Sequence, residues 1–320
     1  MAQEFRKFPR KSGQDLRDWI LVLLIILLGC SLYNNNHIKP GWEPPEIRLA
    51  AGAAWGPHDW IVFTYTDSGM FLVKSDGGDL HLVTEYCFEN PDWFPDGKWF
   101  VANDLGGRIF KISIDGDSII QITQQGRKFY PSVSPDGKKI AFSTPDSDSI
   151  GPRGLRILDL ETMEEKFVFP YGFDPSWSPD GHKLVFCGWI QEGDQWIGGD
   201  LGSVVVVDTS GKNPQIIHLS EEGNGVESPS FSPNGSKIVF RKPYAWGGGV
   251  GQIWIVNSSG NYSTKLTKRG GRWPAWSPDG SKIVYTRYSL NEPYQKASGD
   301  LFIMNADGSG KRRLTFFNQN

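Results

Sequence analysis

One pattern recurs six times along this 320-residue chain and constrains its fold more than any other feature. It runs proline, small residue, aromatic, Ser, Pro, Asp, Gly, then an apolar stretch. The clear copies are PSVSPDGKKIAF from Pro131, PSWSPDGHKLVF from Pro175, PSFSPNGSKIVF from Pro229 and PAWSPDGSKIVY from Pro274. PDWFPDGKWFVA from Pro91 and AAWGPHDWIVFT from Ala53 are weaker copies. Aligned on the second proline they fall at Pro57, Pro95, Pro135, Pro179, Pro233 and Pro278, with spacings of 38, 40, 44, 54 and 45. In Pro-Asp-Gly the proline presets φ, the aspartate bonds nearby backbone and the glycine takes positive φ, so the motif is first a hairpin turn. Each unit holds a second pair of apolar stretches, as in GRIFKISIDGDSIIQIT (Gly107 to Thr123) and DLFIMNADGSGKRRLTFF (Asp300 to Phe317). Four short strands repeated every 40 to 45 residues make a propeller blade. The spacing therefore predicts an all-β chain, a six-bladed β-propeller of four-stranded blades over residues 46–320. The 38 glycines, 21 prolines and 13 tryptophans suit short strands joined by tight turns.

These WSPDG repeats resemble those of the TolB-like, WD40-like propellers, with related repeats in the propeller domains of prolyl peptidases and oligogalacturonate lyases. The resemblance covers residues 46–320 and implies a fold more sharply than a function, because one architecture serves many sites. TolB itself places a small α/β domain ahead of its propeller, whereas a tether is expected here. The resemblance therefore implies a TolB-like propeller protein rather than TolB. Two segments compete to complete the ring, EIRLA at Glu46 to Ala50 and RRLTF at Arg312 to Phe316. The sequence does not choose between them.

Ahead of the repeats, residues 1–18 carry five basic side chains against three acidic ones, and an apolar block follows from Trp19 to Tyr33. Positive charge keeps that flank cytoplasmic. Fifteen residues of helix reach about 22 Å, short of the roughly 30 Å hydrocarbon core. Residues 1–33 thus read as an export segment, and three fates stay open: a lipobox at Leu27-Leu28-Gly29-Cys30 with Cys30 lipidated, an uncleaved signal anchor, or an ordinary cleaved signal. Each places the propeller outside the cytoplasm, periplasmic or at the cell surface. Residues 34–45, polar and proline-containing, read as a tether.

Local signatures of chemistry are missing. No GxSxG, HExxH or GxxxxGK[ST] occurs, and the glycine-rich run from Trp246 to Gly251 lacks the lysine and helix of a phosphate cradle. The histidines, His37, His58, His81, His182 and His218, fall in the tether, in turns or near outer strands, so no metal site is expected at the channel. Cys87 and Cys187 are expected as free thiols. A formal net charge of −3 without basic clustering argues against nucleic acid. No catalytic residue and no cofactor is expected.

What remains is recognition. In blades three to six the loops between second and third strands are long and carry Trp189, Trp196, Tyr244, Trp246, Tyr288 and Tyr294. Aromatics among charges suit a protein segment or a glycan, although they equally suit packing that holds long loops still. The residue before the first proline of each inner strand is expected to ring the channel mouth: Gly52, Asn90, Tyr130, Asp174, Ser228 and Trp273. This ring shows no paired carboxylates in the sequence. The expectation is a monomeric, non-catalytic binding scaffold for another envelope or extracellular protein, with a carbohydrate-active or carbohydrate-binding propeller as the alternative.

Overall fold

The computed structural model describes residues 46–66, 68–124, 127–145, 153–198, 202–220, 225–243, 251–268, 270–291 and 296–317, with backbone alone for 46–49, 288–291 and 296–298. Six antiparallel four-stranded units follow one another in chain order. Blade two shows the plan: Glu89–Trp93 is the inner strand, then Trp99–Asn103, Ile109–Ser113 and the outer Ile119–Gln121. The six inner strands touch their neighbours in a closed cycle, with Arg272–Trp276 of blade six against Glu46–Trp55 of blade one.

The turn chemistry is visible atom by atom. Gly97, Gly137, Gly181, Gly235 and Gly280 of the Pro-Asp/Asn-Gly turns sit at φ of 65 to 72°. Ser134, Ser178 and Ser277 donate to the turn aspartates Asp136, Asp180 and Asp279 at 2.5 to 2.6 Å, and Ser232 donates to Asn234 at 2.8 Å. Each of these serine oxygens also accepts the backbone N–H five residues on, which closes the hairpin. In blade one, which lacks the glycine, His58 and Asp59 themselves take positive φ.

The core lies between blades. Six apolar clusters form, one in each wedge: Phe100 and Met70 join blades one and two, Phe142 and Val101 blades two and three, Phe186 and Leu155 blades three and four, and so on round to Phe63 and Leu301. The motif tryptophans add a polar tie. The indoles of Trp93, Trp177 and Trp276 donate to Ala54, Ser132 and Ser230 on the preceding inner strand at 3.0 to 3.2 Å.

Ring closure uses both candidate segments. Arg312–Arg313 takes the outer edge of blade six, antiparallel to Phe302 and Ile303. Glu46–Leu49 pairs in parallel with Lys296–Gly299, higher on the same strand. Phe317 then stacks on Tyr65 with centroids 4.2 Å apart and meets Phe63 and Phe71 edge-on, which latches the C-terminal end onto blade one.

Two of the expected long loops are partly strand. Blade six projects a hairpin, Lys282–Asn291 with Lys296–Asn305, and blade four carries a small one, Ile190–Glu192 with Gln195–Ile197. Cys187 is a free, fully buried thiol. Cys87 corrects the free-thiol expectation, being disulfide-bonded. Residues 1–45, and with them the expected segments 1–33 and 34–45 and Cys30, also lie outside the described residues. No described helix is long and apolar enough to cross a membrane.

Candidate functional site: the channel mouth

All six residues in the mouth positions share one unusual backbone state. Gly52, Asn90, Tyr130, Asp174, Ser228 and Trp273 have φ between 47 and 58°. A non-glycine residue is strained there, and five of the six precede a proline, which narrows their choices further. The strain coincides with a register shift between the first and second strands of every blade, a bulge that bends the start of each inner strand. Each mouth residue remains partly exposed while the proline or alanine after it is buried.

Behind the mouth stands a second circle that the sequence reading missed. The residue before each mouth position faces a second-strand partner: Ala51 with Thr64, Glu89 with Asn103, Phe129 with Ser143, Phe173 with Cys187, Glu227 with Arg241 and Arg272 with Thr286. All six partners are polar or sulfur-bearing and all are buried. They tie each bulge to the neighbouring blade. Thr64 donates to the Phe88 carbonyl at 2.5 Å and Thr286 to the Ala50 carbonyl at 2.6 Å. The Tyr130 N–H donates to Asn103 Oδ1 at 3.2 Å, the Asp174 N–H to Ser143 Oγ at 2.9 Å, and the Ser228 N–H to Asp174 Oδ2 at 2.8 Å. The bulge strain is thus offset by hydrogen bonds of about 1 kcal/mol each.

Within the ring only Asp174 bears a carboxylate, and two more, Glu89 and Glu227, stand one residue ahead of Asn90 and Ser228. Burial is the main cause pushing the Tyr130 phenol upward, and the charges of Asp174, Glu227 and Glu89, on blades four, five and two, push it further. Burial raises Glu89 to about 7, and among the described residues its carboxylate has no hydrogen-bond or ion-pair partner. Burial likewise raises Asp174 to about 7, with the Glu227 charge adding to it against the Ser228 bond. Glu227 goes the other way: burial works to raise it, but the guanidiniums of Arg241 and Arg272 win and hold it below its ordinary range. Arg241 is 2% exposed and ion-pairs with Glu227. Gly251 makes room for that guanidinium, since a Cβ there would stand 2.5 Å from Arg241 Nε. Deeper in, Asp92 accepts from Ser132 Oγ and the Val133 N–H at 3.1 and 2.8 Å while burial lifts it to about 6. No group of three or more His, Cys, Asp or Glu among the described residues stands ready for a metal ion.

The loop aromatics are only partly in view. Trp196, 44% exposed, lies edge-on to Tyr171 with centroids 4.7 Å apart, and Trp189 tilts against Phe173 at 6.4 Å. Both make the intramolecular contacts of loop-bracing residues. Tyr244, Trp246 and Tyr294 lie outside the described residues, as does the side chain of Tyr288.

Fold and ring together define a six-bladed propeller of four-stranded blades whose inner strands each begin at a strained, partly exposed residue. Sequence and structure comparisons both make it TolB-like. It is 31% identical over 146 residues to a TolB homolog of Chlorobium luteolum, covering 44% of this chain and 30% of that protein. It is 28% identical over 207 residues to the Tol-Pal system protein TolB of Francisella tularensis, covering 62% and 45%. An uncharacterised protein of Agrobacterium fabrum is 28% identical over 217 residues, 66% of this chain and 70% of that one. The chain thus spans less than half the length of these two TolB relatives. Among solved structures, TolB from Acinetobacter baumannii superposes with a TM-score of 0.60 at 20% identity, covering 82% of this chain and 62% of that one. Oligogalacturonate lyase from Vibrio parahaemolyticus superposes with a TM-score of 0.56 at 14% identity, covering 87% and 81%, a likeness of fold alone. No family model matches the chain.

Proposed function

We propose that this protein is a non-catalytic, extracytoplasmic binding scaffold that engages another envelope protein at the loop face of its propeller, with the channel mouth at the centre of the contact. The observation that carries this reading is the strained, partly exposed ring, in which bulges and hydrogen bonds to buried partners fix Asn90, Tyr130 and Asp174, and Trp273 holds the same strained position. Its likeness to proteins named for the Tol-Pal system gives the same direction. Trp and Tyr at a concave centre are the residues that dominate protein interfaces. Replacing Trp273 and Tyr130 with alanine is expected to weaken capture of a partner from solubilised envelope membranes by about 30-fold each, roughly 2 kcal/mol. Melting temperature should change little. Trp196→Ala, at the loop face but outside the mouth, serves as comparator; capture lost there and kept in the mouth variants would move the site to the long loops.

The carbohydrate reading has one observation in its favour, the near-neutral carboxyls Glu89 and Asp174 at one opening. Saturable binding or cleavage of acidic or neutral oligosaccharides, lost in Glu89→Gln, would favour it over the scaffold.

Membrane attachment is the other part of the proposal. Mass spectrometry of the mature protein separates the modes of attachment: acylated Cys30 as the first residue would show a lipoprotein. An intact Met1 start would favour the anchor. A peptide pair linking Cys30 to Cys87 would show that sulfur already used and exclude its lipidation.

A further inference from the structure

The chain enters the propeller on the mouth side. Glu46–Leu49 runs parallel to Lys296–Gly299, and these residues lie next to the tip of the blade-six hairpin, at the end of the ring opposite the Pro-Asp-Gly turns. The apolar block ends at residue 33, so twelve residues, 34–45, separate it from the first strand. Fully extended they reach at most about 40 Å.

The same face carries exposed apolar side chains spread round the ring. Tyr86 (68%), Leu219 (58%), Phe316 (54%), Trp196 (44%) and Tyr171 (42%) all lie on blade-to-blade connections or loops of that side. These five edge the opening as a rim, but the turn face carries Leu80, Met163 and Tyr262 as well, so the rim by itself marks neither face, and the entry point of the chain and the charge inside the rim carry the direction. Inside the rim the charge is unbalanced. Glu227 is paired by Arg241 and faces Arg272, whereas Asp174 has only neutral donors from Ser228 and Glu89 has no described partner. A buried carboxylate without a counter-charge is costly, and a cation seated beside it relieves that cost.

We propose that the loop face is turned toward the membrane that holds residues 19–33, and that the mouth receives a lysine, arginine or free amine carried by a segment of a protein anchored in that same membrane. The proposal rests on the mouth being the binding place. It adds an orientation and a chemistry to that reading. A partner presented from the far side of the compartment would meet the turn face first, where the Pro-Asp-Gly hairpins close each blade.

The orientation is tested with the full chain reconstituted in phosphatidylcholine vesicles. A clickable residue takes a donor dye at Tyr86 or Tyr171 on the loop face, and at Met163 or Tyr262 on the turn face, with acceptor-labelled lipid in the bilayer. Transfer from both loop-face dyes is expected to exceed that from both turn-face dyes by at least about twofold, given the steep distance dependence and a tether of about 40 Å. Equal or reversed transfer overturns the proposal, as does failure of the full chain to float with the vesicles. Contact quenching of the loop-face dyes by headgroup quenchers would show the bilayer itself covering the rim, and would overturn the protein partner. The chemistry is tested by titrating acetyl-lysine amide against acetyl-norleucine amide with tryptophan fluorescence as readout. A saturable response to the lysine compound alone, lost in Glu89→Gln, is expected. Equal responses overturn the cation preference while leaving partner capture by Trp273 and Tyr130 to be judged separately.

Discussion

Deleting Asn90 to Phe129, one repeat from mouth position to mouth position, is expected to abolish cooperative folding. The splice joins Glu89 to Tyr130, so the local sequence stays in frame with the repeat. What is lost is the filling of two wedges. Blade two gives Trp93, Phe100 and Ile112 to the cluster with blade one, and Phe94, Val101 and Ile109 to the cluster with blade three. At roughly 1.5–3 kcal/mol for each large buried side chain, their removal withdraws on the order of 10 kcal/mol, comparable to the whole stability of a typical domain. Re-closing as five blades would require every remaining wedge to widen, and the surviving indole ties, Trp177 to Ser132 and Trp276 to Ser230, hold those wedges at their present angle. The product should be aggregated and protease-sensitive in size-exclusion and limited proteolysis. A monomeric five-repeat protein with a sharp melt would show that closure in six is not required.

The blades were legible because their determinants are local: Pro-Asp-Gly, a serine two residues ahead of the aspartate, and alternating apolar strands all lie within a dozen residues. The shared positive-φ position at the start of each inner strand falls at a fixed offset from the repeated proline, at Asn90, Tyr130, Asp174, Ser228 and Trp273. What could not be read was cross-strand. Glu89, Glu227 and Arg272 sit one residue before the ring, where the register pairs them with Asn103, Arg241 and Thr286, and the bulge that sets this pairing is not written in any one strand. A signal was available: at that offset the six copies read Ala51, Glu89, Phe129, Phe173, Glu227 and Arg272, so three of them place a charge where the others are apolar. Ring closure was ambiguous because Glu46–Leu49 and Arg312–Arg313 pair at different heights of one strand, and both pairings are satisfied at once.

The carboxyls of the mouth should make the folded protein more stable in mild acid than at neutral pH. Glu89 and Asp174 are raised to about 7 and Asp92 to about 6, chiefly by burial, against unfolded values near 4. Between pH 4 and 7 the folded state therefore binds more protons than the unfolded one, so stability falls as pH rises through that window and levels off above it. Turn aspartates act in the opposite sense at lower pH. Hydrogen bonds from Ser277 and the Ser281 N–H depress Asp279 to about 2, and Asp136 and Asp180 are lowered by the same serine and backbone donors. Their stabilisation is present above pH 4 and is lost as pH falls toward 2. Melting temperature should then peak between pH 4 and pH 5. Because Glu89 and Asp174 keep contact with channel water, the fall from pH 5 to pH 8 is discounted to about 2 kcal/mol in all, a loss of several degrees for a chain of this size. The double variant Glu89→Gln, Asp174→Asn keeps acceptors for the Ser228 N–H and removes two of the three raised carboxyls, so its melting temperature should fall from pH 5 to pH 8 by only the Asp92 share, well under half the parent's loss, and exceed the parent's at pH 8. A variant that still loses stability in parallel with the parent would place the responsible protons elsewhere, with Asp92→Asn the next substitution to measure.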